Sequence, residues 1–260
     1  MMLVLRSVAF NIAFIVVTTV LAVLGFWVLL LPARGVLVFA RLWARLVVGL
    51  LRHICGIDCE VRGRENLPDH PVLIAAKHQS AWDTIAINLI LPGVAYVMKR
   101  ELLWVPLVGW YMARAGMIPI DRAGHGAALR KLQVRAKATL AAGRSILIFP
   151  EGTRTRPGER RRYLAGIAGL YAALGAPVVP VALNSGLYWP RRSFLKRPGR
   201  ILVEILPAIA PGLARPDFLA LLEDRIETAS QGLNAEAMVQ ANKTGENITG
   251  TNLDRPRPEA

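Results

Sequence analysis

A histidine and an aspartate stand five residues apart in Lys77-His78-Gln79-Ser80-Ala81-Trp82-Asp83. An imidazole held by a carboxylate is a general base with a fixed tautomer. The pair follows the apolar run 72–75, which reads as a buried strand, and precedes the apolar, helix-like run 85–91. On one continuous helix that spacing sets the two side chains roughly 140° apart, on different faces. With His78 in the turn and Asp83 in the first helical turn, they can meet. Among four histidines and seven aspartates, a chance His-x4-Asp pair has odds of roughly one in ten. The pair alone therefore decides nothing.

A second stretch is more specific: Ile148-Phe149-Pro150-Glu151-Gly152-Thr153-Arg154-Thr155-Arg156. A given tetrapeptide such as Glu-Gly-Thr-Arg arises in a chain this long with odds of order one in several hundred. Gly152 lets the backbone approach a ligand closely, Thr153 offers a hydroxyl and an amide, and Arg154 a fork suited to phosphate. Glu151 either pins the arginine or accepts from a substrate hydroxyl.

The elements that must position these residues alternate. Strand candidates are 57–61, 72–76, 94–98, 117–120, 145–149, 178–183 and 201–206; helix candidates are 83–91, 127–142, 165–174 and 217 to about 229. This order predicts an α/β domain with a mostly parallel sheet flanked by helices. His78 then follows one strand, Lys99 and Arg100 another, Asp121 and Arg122 a third, and Glu151 to Arg154 a fourth. Open α/β sheets bind ligands just past their carboxyl ends, so four strands delivering charged residues there lift the histidine above chance.

At 260 residues, with 32 Lys+Arg against 18 Asp+Glu, the chain suits one sizeable domain with an appendage and a partner that is anionic: nucleic acid, a membrane face or a phosphorylated substrate. Cys55 and Cys59 have no further Cys or His around them to build a metal site and read as reduced thiols on the cytosolic side. Residues 7–33 carry no charge and as a helix would extend roughly 40 Å, more than a bilayer core needs. No small-residue cleavage site follows, so this segment reads as a permanent membrane anchor. In 35–51, Arg41 and Arg45, with Arg34 and Arg52 at the ends, fall within a sector of roughly 40°. That stripe suits a helix at the membrane interface, with a second spanning helix or a hairpin dipping into one leaflet as alternatives. The chain thus divides into an anchoring helical pair (1–54), an α/β domain (55–235) and a disordered tail (236–260).

His78-x4-Asp83, Gly116-Met117-Ile118-Pro119-Ile120-Asp121-Arg122, Phe149-Pro150-Glu151-Gly152-Thr153-Arg154 and Val179-Pro180-Val181 appear in the order of the four motifs of glycerolipid acyltransferases. Over roughly residues 55–210 the chain resembles the 1-acyl-glycerol-3-phosphate acyltransferases, which make phosphatidic acid, and the helical pair looks like the two-helix anchor of bacterial members. The resemblance implies that His78 deprotonates the acceptor's sn-2 hydroxyl while Asp83 orients it. The alkoxide then attacks the thioester of acyl-CoA or acyl carrier protein, with no covalent acyl-enzyme, metal or cofactor. It casts Arg122, Glu151, Gly152, Thr153 and Arg154 as acceptor-binding, Lys99 as a phosphate anchor, and Val179 and Pro180 as shaping the acyl-donor side. It also implies lysophosphatidic acid and an anionic bilayer as partners, at the cytoplasmic face of the inner membrane.

Three positions depart from the family's pattern: Lys77 stands where many members have Asn, Pro119 replaces a common aromatic, and Leu164 replaces a frequent lysine. None touches the catalytic pair; the acceptor is what they leave open, a lyso-ornithine lipid being one alternative. A pure membrane- or nucleic-acid-binding protein would use Arg154, Arg156, Arg160, Arg161 and Arg162, but few aromatics interleave there for base stacking, so no nucleic acid is expected.

Overall fold

The computed structural model describes residues 1–121 and 125–244. Two apolar helices, α1 (Met2–Leu24) and α2 (Ala33–Leu50), are joined through a 3-10 turn at Phe26–Leu30. They lie antiparallel, tied by the Trp43 indole N–H donating to Thr18 Oγ1 at 3.0 Å. After a π-helical turn at Leu51–Cys55, Gly56 takes the left-handed conformation (φ +69°) that ends the helix and turns the chain into the sheet.

The body then runs β1 (Ile57–Arg62), β2 (Leu73–Ala76), α3 (Ala81–Ile90), β3 (Ala95–Lys99), α4 (Val108–Arg114), β4 (Ile118–Ile120), α5 (His125–Ala141), β5 (Ile146–Ile148), α6 (Gly166–Leu174), β6 (Val178–Leu183), β7 (Gly199–Ile205) and α7 (Arg215–Thr244). One sheet has the order β1-β7-β6-β2-β5-β3-β4. Strands β6, β2, β5, β3 and β4 are mutually parallel. Strand β7 runs antiparallel to β6, and β1 parallel to β7. The mostly parallel sheet flanked by helices is the predicted class, and the five parallel strands send their carboxyl ends to one edge.

The helical pair is not a separate layer. Phe10, Ala44, Val47, Leu51 and Cys55 share one buried cluster with Ile74, Trp82, Ile87 and Val203 of the α/β body. Helix α1 is held to that body at both ends. Near its start, Asn11 Oδ1 accepts from Lys196 Nζ at 2.7 Å and the Ser7 hydroxyl accepts from the Lys196 N–H at 3.0 Å. Near its end, the Tyr111 hydroxyl donates to the Ala22 carbonyl at 3.1 Å. On α2 the buried residues Val36, Ala44 and Val47 oppose the arginine stripe, leaving Arg34, Arg45 and Arg52 exposed and Arg41 half-buried.

Two elements differ from expectation. Helix α7 continues to Thr244, past the position 236 at which the sequence suggests a tail. Leu233, Ala237 and Ala241 recur every four residues and are all buried, so the polar composition there hides one apolar stripe. Residues 245–260 lie outside the described residues. Helix α4 was not foreseen; at seven residues it is too short for periodicity to declare itself.

Candidate active site

The histidine–aspartate pair is built by the start of α3. Ser80 is its N-cap, its hydroxyl accepting from the Trp82 N–H at 3.1 Å, and Asp83 reaches back to accept from the Ser80 N–H at 2.8 Å. The same carboxylate oxygen, Oδ2, accepts from the Gln79 N–H at 2.7 Å and from His78 Nδ1 at 2.9 Å. The cap that starts the helix is thus also the group that holds the imidazole.

Asp83 is fully buried and its other oxygen accepts from the Ser185 hydroxyl. With four donors converging on it, the carboxylate is fixed in place. With Nδ1 donating to it, His78 keeps its lone pair on Nε2. The ring stacks on Phe149 with centroids 3.9 Å apart and planes 16° from parallel, which fixes its remaining degree of freedom.

His78 lines a cavity of about 600 Å³ whose walls come from both the helical pair and the sheet's carboxyl edge. The walls are mostly apolar, with Leu21, Phe39, Val97, Met112 and Ile120 among them. That size and character suit a ligand with a long apolar part. Lys99, Gly152, Thr153 and Arg154 stand on the same lining, so four of the candidate binding residues meet the histidine in one place. Gly152 has φ +68°, a conformation a side chain resists, and its N–H donates to the Phe149 carbonyl at 3.0 Å to close the turn.

Glu151 does something else. Its side chain is buried, Oε2 accepts from the His78 N–H at 2.8 Å, and Oε1 accepts from the Thr155 hydroxyl at 2.9 Å and pairs with Lys77 Nζ at 2.6 Å. The side chain is sealed from solvent and is not on the cavity lining, so the expectation that Glu151 binds acceptor is corrected: it fastens the histidine segment to the Glu-Gly-Thr-Arg loop. Thr155 adds to this by donating its N–H to the His78 carbonyl at 2.8 Å. Val179 and Pro180 are likewise corrected. They lie buried inside the central strand β6, paired with β2, and are not on the cavity wall; a strand-interior position hides both faces beneath helices. Arg122 lies outside the described residues.

Lys77, a departure from the family's pattern, is buried between two acids. Its ammonium sits 2.6 Å from Glu151 Oε1 and 2.6 Å from Glu227 Oε1 on α7, and the Tyr163 hydroxyl donates to Glu227 at 3.1 Å. Burial pushes the Glu151 carboxyl up, outweighing the Lys77 charge and the donors that oppose it. A buried pair of this kind is costly to break because one unpaired charge remains inside.

Ser185 was missed by reading the sequence. It follows β6 as His78 follows β2, so the strand-end reasoning applied to 178–183 would have reached it. Neither Glu227 nor the Lys77 pairing carries a local signal, since Lys77 and Glu227 lie 150 positions apart. Among the described residues, no cluster of three His, Cys, Asp or Glu is placed to hold a metal.

Comparison with known proteins bears on the same region. The family model described as Acyltransferase matches residues 58–184. The 1-acyl-sn-glycerol-3-phosphate acyltransferase of Pseudomonas aeruginosa is 40% identical over 185 residues, covering 71% of this chain and 72% of that protein. The Homo sapiens 1-acyl-sn-glycerol-3-phosphate acyltransferase alpha is 31% identical, covering 70% of this chain but 65% of its own length, just under two thirds. The crystal structure of PlsC, the 1-acyl-sn-glycerophosphate acyltransferase of Thermotoga maritima, has the same fold, with a TM-score of 0.74 at 24% identity over 89% of this chain and 97% of that one. By the first of these relatives above all, the chain belongs to the 1-acyl-sn-glycerol-3-phosphate acyltransferase family.

Proposed function

We propose that the protein transfers a fatty acyl group from a thioester to the sn-2 hydroxyl of 1-acyl-glycerol-3-phosphate, giving phosphatidic acid. The observation that carries this reading is the His78–Asp83 pair fixed at the wall of a mostly apolar cavity, with Lys99, Thr153 and Arg154 on the same lining. In this mechanism His78 Nε2 removes the proton of the acceptor hydroxyl as its oxygen attacks the thioester carbonyl. The buried Asp83 stabilises the imidazolium that forms. Collapse of the tetrahedral oxyanion breaks the carbon–sulfur bond, and the imidazolium proton passes to the leaving thiolate. Arg154 and Lys99 are suited to the acceptor's phosphate, Arg154 as a fork and Lys99 as a point charge. Acyl-CoA or acyl carrier protein serves as co-substrate, with no cofactor.

The membrane is the second part of the proposal. Helix α1 is long and apolar enough to cross a bilayer, but with both its ends bonded to the body it lies along one face of the protein. We take that face to sit in one leaflet of the inner membrane, on its cytoplasmic side. The exposed Val38, Leu42 and Leu46 of α2, beside the arginine stripe, support this placement, since apolar side chains reach the acyl chains where guanidinium groups meet anionic phosphates.

The test is a panel of lyso-lipid acceptors offered to the purified protein with one acyl-CoA and one acyl carrier protein. Preference for lysophosphatidic acid is expected. A preference for a lyso-ornithine lipid would move the acceptor while keeping the chemistry, and no transfer to any acceptor would refute the reading.

A further inference from the structure

The segment that links β3 to β4 exposes an apolar surface the proposed reaction does not use. Its 3-10 turn, Arg100–Trp104, and α4 present Leu102, Trp104, Val105, Val108 and Trp110 outward, with Trp104 71% and Trp110 50% exposed. Soluble surfaces rarely expose a contiguous apolar patch of this kind, and tryptophan, apolar with one polar N–H, favours the membrane interface.

The patch continues onto the turn between α1 and α2, where Phe26, Trp27 and Leu30 are exposed as well. Phe26 and Trp110 meet edge to face at 6.1 Å. The Arg114 guanidinium Nε–H donates to the carbonyls of Leu29 and Leu31 at 3.0 and 2.9 Å, locking the two segments together. Cations border the apolar surface: Arg34 and Arg114 are exposed, and Arg100 lies 5.9 Å over the Trp104 ring. An apolar, aromatic face bordered by arginines matches acyl chains beneath anionic headgroups.

We infer that this 100–114 segment is a second bilayer-inserting element, entering the same leaflet as α1 and bringing the cavity to the lipid. The inference rests on the membrane placement proposed above. Its functional sense comes from the inner side of the segment, where Tyr111 and Met112 line the cavity that holds His78. One short stretch therefore faces acyl chains on one side and the reaction chamber on the other, and a lipid substrate reaches His78 past it without crossing water.

The experiment uses the full chain with vesicles of phosphatidylcholine and phosphatidylglycerol bearing brominated acyl chains, which quench tryptophan only from within the bilayer. In a Trp27→Phe background, which removes the exposed tryptophan of the α1–α2 turn, the protein is expected to be quenched, and adding Trp104→Phe/Trp110→Phe to remove most of that quenching. Trp104 and Trp110 do not line the cavity, so Trp104→Gln/Trp110→Gln should cut turnover of vesicle-borne acceptor by about tenfold while holding turnover of dispersed short-chain acceptor within about twofold. Unchanged quenching in the Phe pair would overturn the inference, and this arm stands even where the Gln pair fails to fold. Self-association of the wild type that the Gln pair abolishes, without quenching, would assign the patch to a second copy and overturn it too. Absent transfer by the wild type refutes the proposed reaction; absent quenching refutes the insertion.

Discussion

His78 is held by contacts that each have a separate origin in the chain, and each can be removed alone. His78→Ala should lower acyl transfer by roughly 10²- to 10⁴-fold, the usual worth of a general base, with the circular dichroism spectrum unchanged. Ser185→Ala removes one donor from Asp83 and should lower turnover by about tenfold, the worth of a hydrogen bond to a charge. Its KM should not move, since Ser185 stands behind the aspartate; a shifted KM with intact turnover would argue against this positioning role.

Lys77→Met leaves Glu151 and Glu227 facing each other in the interior and should cost about 3–5 kcal/mol, read from the urea midpoint. The pH dependence has a definite sign. Burial already raises the Glu151 carboxyl, so the folded state holds that proton more tightly than the unfolded chain. Its contribution therefore favours the fold at low pH and turns against it as pH rises between the unfolded and folded values. Without Lys77 the rise is larger, so the variant should be more destabilised at pH 8 than at pH 5. At this scale His78 and Asp83 were legible because a helix cap joins residues close in sequence. Lys77 was visible only as an oddity, because its partners come from β5's loop and from α7.

Among the elements, strands were read well and helix ends less so. Strand β2 is four buried residues, Leu73–Ala76, and a short apolar run beside a turn is a strong signal. Helix α7 defeated the composition-based reading because small residues, Ala237 and Ala241, do its packing. Ending the chain after residue 235 should therefore cost about 2 kcal/mol of stability from lost apolar burial; an unchanged urea midpoint would restore the reading of that stretch as a tail. The cysteines give a chemical check on β1 and the turn before it. Cys55 is buried and burial raises its thiol; Cys59 is pushed up to about 12 by burial and by Asp58. At pH 8 roughly one Cys59 in ten thousand would be thiolate. Iodoacetamide should leave the folded protein unlabelled over minutes and modify both thiols once it is unfolded.

For the whole molecule, the sequence divided a membrane anchor from a catalytic domain, and the structure joins them. The anchor's charge-free run was plain; that Leu21 and Phe39 wall the same cavity as His78 was not, because packing between distant segments has no periodic signature. The electrostatic part of membrane attachment is testable on α2. Arg41→Glu/Arg45→Glu should weaken binding to phosphatidylglycerol vesicles while binding to neutral vesicles persists, because α1's apolar face remains. Equal loss on both vesicle types would point to a disrupted fold.

The central claim, that a base fixed at the wall of this cavity transfers an acyl group to lysophosphatidic acid, is tested most directly by phosphatidic acid formation from lysophosphatidic acid and an acyl thioester. The comparison is between purified wild type and His78→Ala at matched vesicle occupancy. Product from the wild type, with the variant bound to membrane but at least about a hundredfold slower, is the predicted result; equal rates from the two proteins would contradict it.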